Sequence, residues 1–103
     1  MKHLAPLLIA AGLLAALPAQ ANVDLAKKNN CMTCHAVDKK MVGPSFADVS
    51  QKYKGDKSAA GALSAKVKSG SKGVWGQIPM PPQPTVKDAD RDAIIKWILA
   101  GAK

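Results

Sequence analysis

The sequence predicts an all-α fold, and three observations carry that expectation. Apolar residues recur at helical spacing in segments bounded by capping residues and by Gly or Pro. No long alternation of β-branched residues is available to build a sheet. No internal repeat points to a solenoid or propeller.

The first 21 residues read as an export leader. Lys2 and His3 form a basic start, Leu4 to Leu17 an apolar stretch, and Ala19-Gln20-Ala21 a small-x-small cleavage site, so cleavage is expected after Ala21. The apolar run, about 14 residues against the ~20 that span a bilayer, is too short for a good anchor. The other reading, an uncleaved anchor helix, is opposed by Pro18 and the cleavage triplet that close the run. Residues 22–103 then form one domain.

A short helix is expected from about Val23 into the Cys31 region, placing Cys31, Cys34 and His35 at i, i+3 and i+4 on one face. Lys40 to Ser45 contains Gly43-Pro44 and is a loop. Ser45 caps a second helix carrying Phe46, Val49 and Tyr53 on one side. Asp56 caps a third, alanine-rich helix with Leu63 and Val67 inward, which stops at Gly70. From Ser71 to Pro84 runs a loop stiffened by Pro79, Pro81, Pro82 and Pro84, suited to presenting one side chain accurately. Thr85 with Asp88 resembles a capping box opening a last helix that buries Ile94, Trp97 and Ile98.

Residues 22–103 hold only four aromatics, Phe46, Tyr53, Trp75 and Trp97. A core this small usually needs a disulfide, a metal or a large cofactor to be stable, so something other than side chains is expected to fill its middle. Fourteen Lys and Arg against seven Asp give this segment a charge of +7. In an exported protein that balance favours an anionic membrane or an acidic protein partner over nucleic acid. The lysines are scattered without interleaved aromatics, so a merely solvated surface is the competing reading.

Both cysteines lie in Cys31-Met32-Thr33-Cys34-His35, and cysteine-x-x-cysteine-histidine is a haem attachment signature. Two thiols one turn apart can add to the vinyl groups on one porphyrin edge while the adjacent imidazole points at the iron. The alternatives are weaker. A thioredoxin-like pair lacks its strand-helix-strand context. A structural zinc lacks two further ligands. A disulfide across two residues closes almost no loop.

His35 is the only histidine after the leader, which removes bis-histidine ligation. The sixth ligand is then methionine, lysine, water or nothing. Met32 and Met41 lie too near the histidine in sequence to cross the ring, whereas Met80 in the proline-stiffened loop is far enough away. Imidazole plus thioether would saturate the iron, leaving outer-sphere electron transfer at a fairly high potential rather than catalysis.

CMTCHAVDKKMVGPSFADV, GVWGQIPMPPQ and the terminal KWIL together resemble the short class I c-type cytochromes of the cytochrome c-551 type, across essentially all of residues 22–103. The resemblance implies the cytochrome c fold, four to five short helices wrapped around one haem c attached through Cys31 and Cys34. It implies Met80 as distal ligand opposite His35. It places the Pro44 carbonyl as acceptor for His35 Nδ1, Trp75 near a propionate, and Lys66 where the family can carry a basic partner for that propionate. Plain core for Trp75 and solvation for Lys66 are the bland alternatives.

Two departures stand out. Gln83 replaces the Asn that often supports the methionine sulfur, and Pro84-Thr85 adds one residue before the last helix. The function implied is a monomeric, periplasmic, non-enzymatic electron carrier serving redox proteins such as a haem nitrite reductase, a peroxidase or a terminal oxidase. Such a carrier is steered by charge, without nucleic acid or stable membrane insertion. The rivals are a small haem enzyme or gas sensor in which Met80 is labile, and an internal electron wire of a larger complex.

Overall fold

A computed structural model describes residues 19–103, so the expected leader falls outside the described residues up to position 18. Among the described residues the chain forms four α-helices and one short 3₁₀ helix, with a single isolated β-bridge and no strand.

Helix α1 spans Ala19–Lys28, with Lys27 and Lys28 in its last turn facing the negative end of the helix dipole. It does not run into the cysteine motif as expected. Asn29 Nδ2 and its backbone N–H both bond to the Leu25 carbonyl, at 3.0 and 3.1 Å. Asn30 then takes φ 64°, a left-handed conformation that Asn tolerates better than most side chains. The motif consequently begins its own 3₁₀ helix, Cys31–Thr33.

Helix α2, Phe46–Lys52, is capped as its sequence suggests: Ser45 Oγ accepts from the Asp48 N–H at 3.0 Å, and Phe46 and Val49 are buried. Helix α3, Ala59–Ser69, ends at Gly70 as expected, with φ 88°. Its start differs, because Ser58 occupies the N-cap position. Asp56 Oδ1 instead accepts from Ser58 N–H at 2.9 Å and Ser58 Oγ–H at 2.7 Å, which ties a turn ahead of the helix.

Helix α4, Asp88–Leu99, lacks the expected capping box; Lys87 occupies its N-cap position without a side-chain bond. Pro84 at the second position of the turn Gln83–Val86, closed by Val86 N–H to Gln83 O at 3.3 Å, takes Thr85 away from the helix start. Asp88 pairs forward with Arg91 at 2.8 Å.

α1, α2 and α3 all pack against α4. Ile94, Ile95, Trp97 and Ile98 supply the buried face, and Phe46 meets Trp97 edge-on, with ring centroids 5.6 Å apart at 76°. Burying each such side chain contributes about 1.5–3 kcal/mol. Even so, no large side chain among the described residues is fully shielded from solvent. Helices α2, α3 and α4 border a hollow.

Candidate functional site

That hollow is a cavity of about 180 Å³. One water needs roughly 10–15 Å³ measured in the same way, so the space suits a large ligand. Cys31, Cys34, His35 and Pro44 lie on its lining from one stretch of chain, and Lys66, Trp75 and Met80 from another. All seven residues singled out in the sequence are thus brought to one cavity. Phe46, Val49, Leu63, Ile94 and Ile98 add apolar wall.

The cysteine motif is built by its backbone. Cys34 and His35 N–H groups both donate to the Cys31 carbonyl, at 3.3 and 3.0 Å, which keeps both thiols and the imidazole within one turn. Gly43 N–H donates to Cys34 O at 2.8 Å and folds the Gly43-Pro44 loop back beneath the histidine. His35 Nδ1 lies 2.7 Å from the Pro44 carbonyl. A carbonyl only accepts, so Nδ1 carries the proton and Nε2 keeps a free lone pair for a metal. Phe46 stacks on the same ring at 5.0 Å and 23°. A Cβ at Gly43 would stand 2.6 Å from His35 Cε1, so only glycine lets the loop approach this closely.

Burial pushes the Cys31 thiol up from its usual value, against a smaller opposing backbone hydrogen bond. A redox-active cysteine pair needs the reverse, a stabilised thiolate.

The loop carrying Met80 is closed by more than its prolines. Ser71 and Met80 exchange both backbone bonds, Ser71 N–H to Met80 O at 3.0 Å and Met80 N–H to Ser71 O at 2.7 Å. Beyond it, Gln83 N–H anchors on Val67 O at 2.8 Å. The Gln83 side chain donates from Nε2 to the Pro81 carbonyl at 3.1 Å. Trp75 sits on the rim, where Lys52 Nζ lies 5.5 Å from its ring centroid. Lys66, in the last turn of α3, is half-buried.

Sequence reasoning missed the Ser71–Met80 bridge, the contact of Gly43 with His35, and Arg91. Arg91 is buried on the cavity lining with its guanidinium held by Ser64, Val86 and Asp88. Its position three residues before Ile94, on the same helical face, was the available signal.

The donor set matches a covalently attached haem: two thiols one turn apart, an imidazole with a free nitrogen, and a soft thioether from a separate loop. Among the described residues no cluster of three or more His, Cys, Asp or Glu offers a competing metal site.

Comparisons with known proteins converge. The sequence profile of the family described as Cytochrome c matches residues 21–102. Cytochrome c-552 of Nitrosomonas europaea is 56% identical over 90 residues, 87% of each chain. Cytochrome c-551 of Azotobacter vinelandii is 49% identical over 76 residues, 74% of this chain and 92% of the relative. The crystal structure of wild-type N. europaea cytochrome c552 superposes with a TM-score of 0.74 at 54% identity, over 77% of this chain and 98% of the other.

Proposed function

The chain belongs to the cytochrome c family, and on that premise we propose a periplasmic carrier that passes single electrons between respiratory redox proteins, with His35 and Met80 as the residues that would hold the haem iron. As a class I cytochrome c it carries electrons on haem c attached through Cys31 and Cys34. When bound, haem c supplies a one-electron ferric/ferrous couple.

The observation that carries the reading is the meeting of Cys31, Cys34, His35 and Met80 on one apolar cavity. Pro44 holds His35 in the tautomer that leaves Nε2 free and makes it a stronger donor. The Ser71–Met80 bridge holds the backbone from which the Met80 thioether reaches the cavity. Lys66 and the Trp75 indole N–H are assigned to the propionates, because both line the cavity and both donate. Imidazole and thioether bound together would leave no position open for a substrate, which favours a carrier over an enzyme or gas sensor.

Lys66 and Lys72 on the cavity lining, together with exposed Val42, Trp75 and Ile78 there, suit brief docking to an acidic face of a partner such as a nitrite reductase, a peroxidase or a terminal oxidase. Nucleic acid is not among the proposed partners, and a monomer serves brief docking best. Among the described residues no helix is long and apolar enough to cross a membrane. Export with cleavage after Ala21 completes the reading; mass spectrometry of the mature protein should begin at Asn22.

One experiment tests the ligands. The ferric protein should show the weak methionine-sulfur charge-transfer band, and the ferrous protein should resist carbon monoxide. Met80→Ala should abolish the band, admit carbon monoxide and lower the midpoint. A parent protein without the band, or one that binds carbon monoxide freely, would favour the sensor reading.

A further inference from the structure

Arg91 is the only arginine in the chain and the only ionisable side chain of α4 that is buried, at 8% exposure. It lies on the lining of the haem cavity, and its guanidinium is tied down on three sides. Nε donates to Ser64 Oγ at 2.8 Å, which links α4 to α3. Nη1 donates to the Val86 carbonyl at 3.4 Å, in the turn before α4. Nη2 donates to Asp88 Oδ1 at 2.8 Å. A guanidinium stays protonated at any pH a protein survives, so this is a permanent positive charge with little freedom to move.

The balance of charge around it is lopsided. Among the described residues no carboxylate side chain lies on the cavity lining, where Lys66, Lys72 and Arg91 are the cationic side chains. The counter-charge of Arg91 is Asp88, whose side chain is 83% exposed. Water screens an exposed carboxylate far more than it screens a buried guanidinium, so within the apolar cavity the pair acts as net positive.

We propose that Arg91 is a fixed positive charge built into the cavity wall that raises the reduction potential of the bound haem and biases the carrier toward its reduced state. The proposal rests on the carrier reading above. Gain of an electron adds one negative charge inside the cavity, and a cation already held in place stabilises that charge without rearranging. The same three bonds make Arg91 a positioning residue for α3 and α4, so its test needs a readout that packing alone would not move.

That readout is the midpoint potential of the purified haem-loaded protein, titrated spectroelectrochemically at low and high salt. Arg91→Gln removes the charge and keeps a donor for Ser64; it should lower the midpoint. Arg91→Lys keeps the charge and should lie nearer the parent. Asp88→Asn removes only the water-screened counter-charge and should leave the midpoint unchanged or raise it slightly. The shift from Arg91→Gln should persist at high salt, unlike the effect of a surface lysine.

Shifts of the same sign from Arg91→Gln and Asp88→Asn, an unchanged midpoint in Arg91→Gln, a shift abolished by salt, or an Arg91→Lys midpoint no nearer the parent would each overturn the proposal. If Arg91→Gln does not accumulate as haem protein, Arg91→Met, which keeps the length and apolar stem without the charge, decides in its place: a lowered midpoint supports the proposal, and an unchanged or raised one overturns it. Failure of the carrier reading is separately visible, as a missing methionine-sulfur band in the parent itself.

Discussion

At Gly43 a methyl group would lie 2.6 Å from His35 Cε1 and 3.0 Å from Nδ1, inside the distance at which real atoms touch. Either the imidazole or the loop that donates Gly43 N–H to Cys34 O must yield, and both movements threaten the 2.7 Å bond to Pro44. Gly43→Ala should destabilise the haem-loaded protein by about 1–3 kcal/mol in denaturant titration, the usual cost of overpacking. Unchanged stability with an unchanged spectrum would mean that the loop gives way freely. The attachment motif was readable because its chemistry is local, two thiols and an imidazole within five residues. The role of Gly43 was hidden, since the sequence marks a turn there but not what the turn approaches. Asp56 gives a second prediction at this scale. Its bonds from Ser58 Oγ–H and N–H hold the carboxyl below the usual carboxylate range although the side chain is fully exposed. Because the folded value is the lower one, its stabilisation is complete above the ordinary carboxylate range and is lost as pH falls through the depressed value. Asp56→Ala should therefore lower Tm at neutral pH and have less effect in strong acid. An equal deficit at both pH values would contradict this.

Between helices, Gly70 joins the end of α3 to the Met80 loop. It combines φ 88° with an approach that would put a Cβ 2.9 Å from Met80 O and 3.1 Å from Pro82 Cδ. Gly70→Ala should cost about 1–3 kcal/mol through the positive φ. It should also loosen the Ser71–Met80 bridge, which shows as a weakened methionine-sulfur band and faster carbon monoxide entry. A variant destabilised to that extent with the band intact would separate the helix end from the ligand loop. The stop at Gly70 and the cap at Ser45 were legible because each depends on one or two neighbouring residues. The expected cap at Thr85 failed where two local signals competed: Pro84 draws Thr85 into the turn Gln83–Val86, and α4 starts three residues later. The bridge was not legible either, because it joins residues nine apart through backbone atoms, which carry no sequence signature.

Across the whole molecule, α4 bears the weight of the other three helices, yet its buried face borders a cavity as well as neighbouring side chains. The thin aromatic inventory announced this in composition, while the buried arginine on the same face could be placed only once α3 and the turn at Val86 stood around it. Helices α2, α3 and α4 bordering a gap of about 180 Å³ lose dispersion contacts along every wall unless something fills it. The filled protein is stabilised as any ligand stabilises the state it binds, and covalent attachment makes that ligand inseparable from the fold. A Cys31→Ala/Cys34→Ala chain purified free of haem should keep part of its far-UV helical signal but lose cooperative thermal unfolding and most slow amide exchange. Restoring haem without the thioether bonds should recover cooperativity in part, because His35, Met80 and the apolar wall still act. A haem-free chain that unfolds sharply within a few degrees of the intact protein would show that α4 and its neighbours close the gap by themselves, and the cavity would then be a consequence of the fold rather than its organising centre.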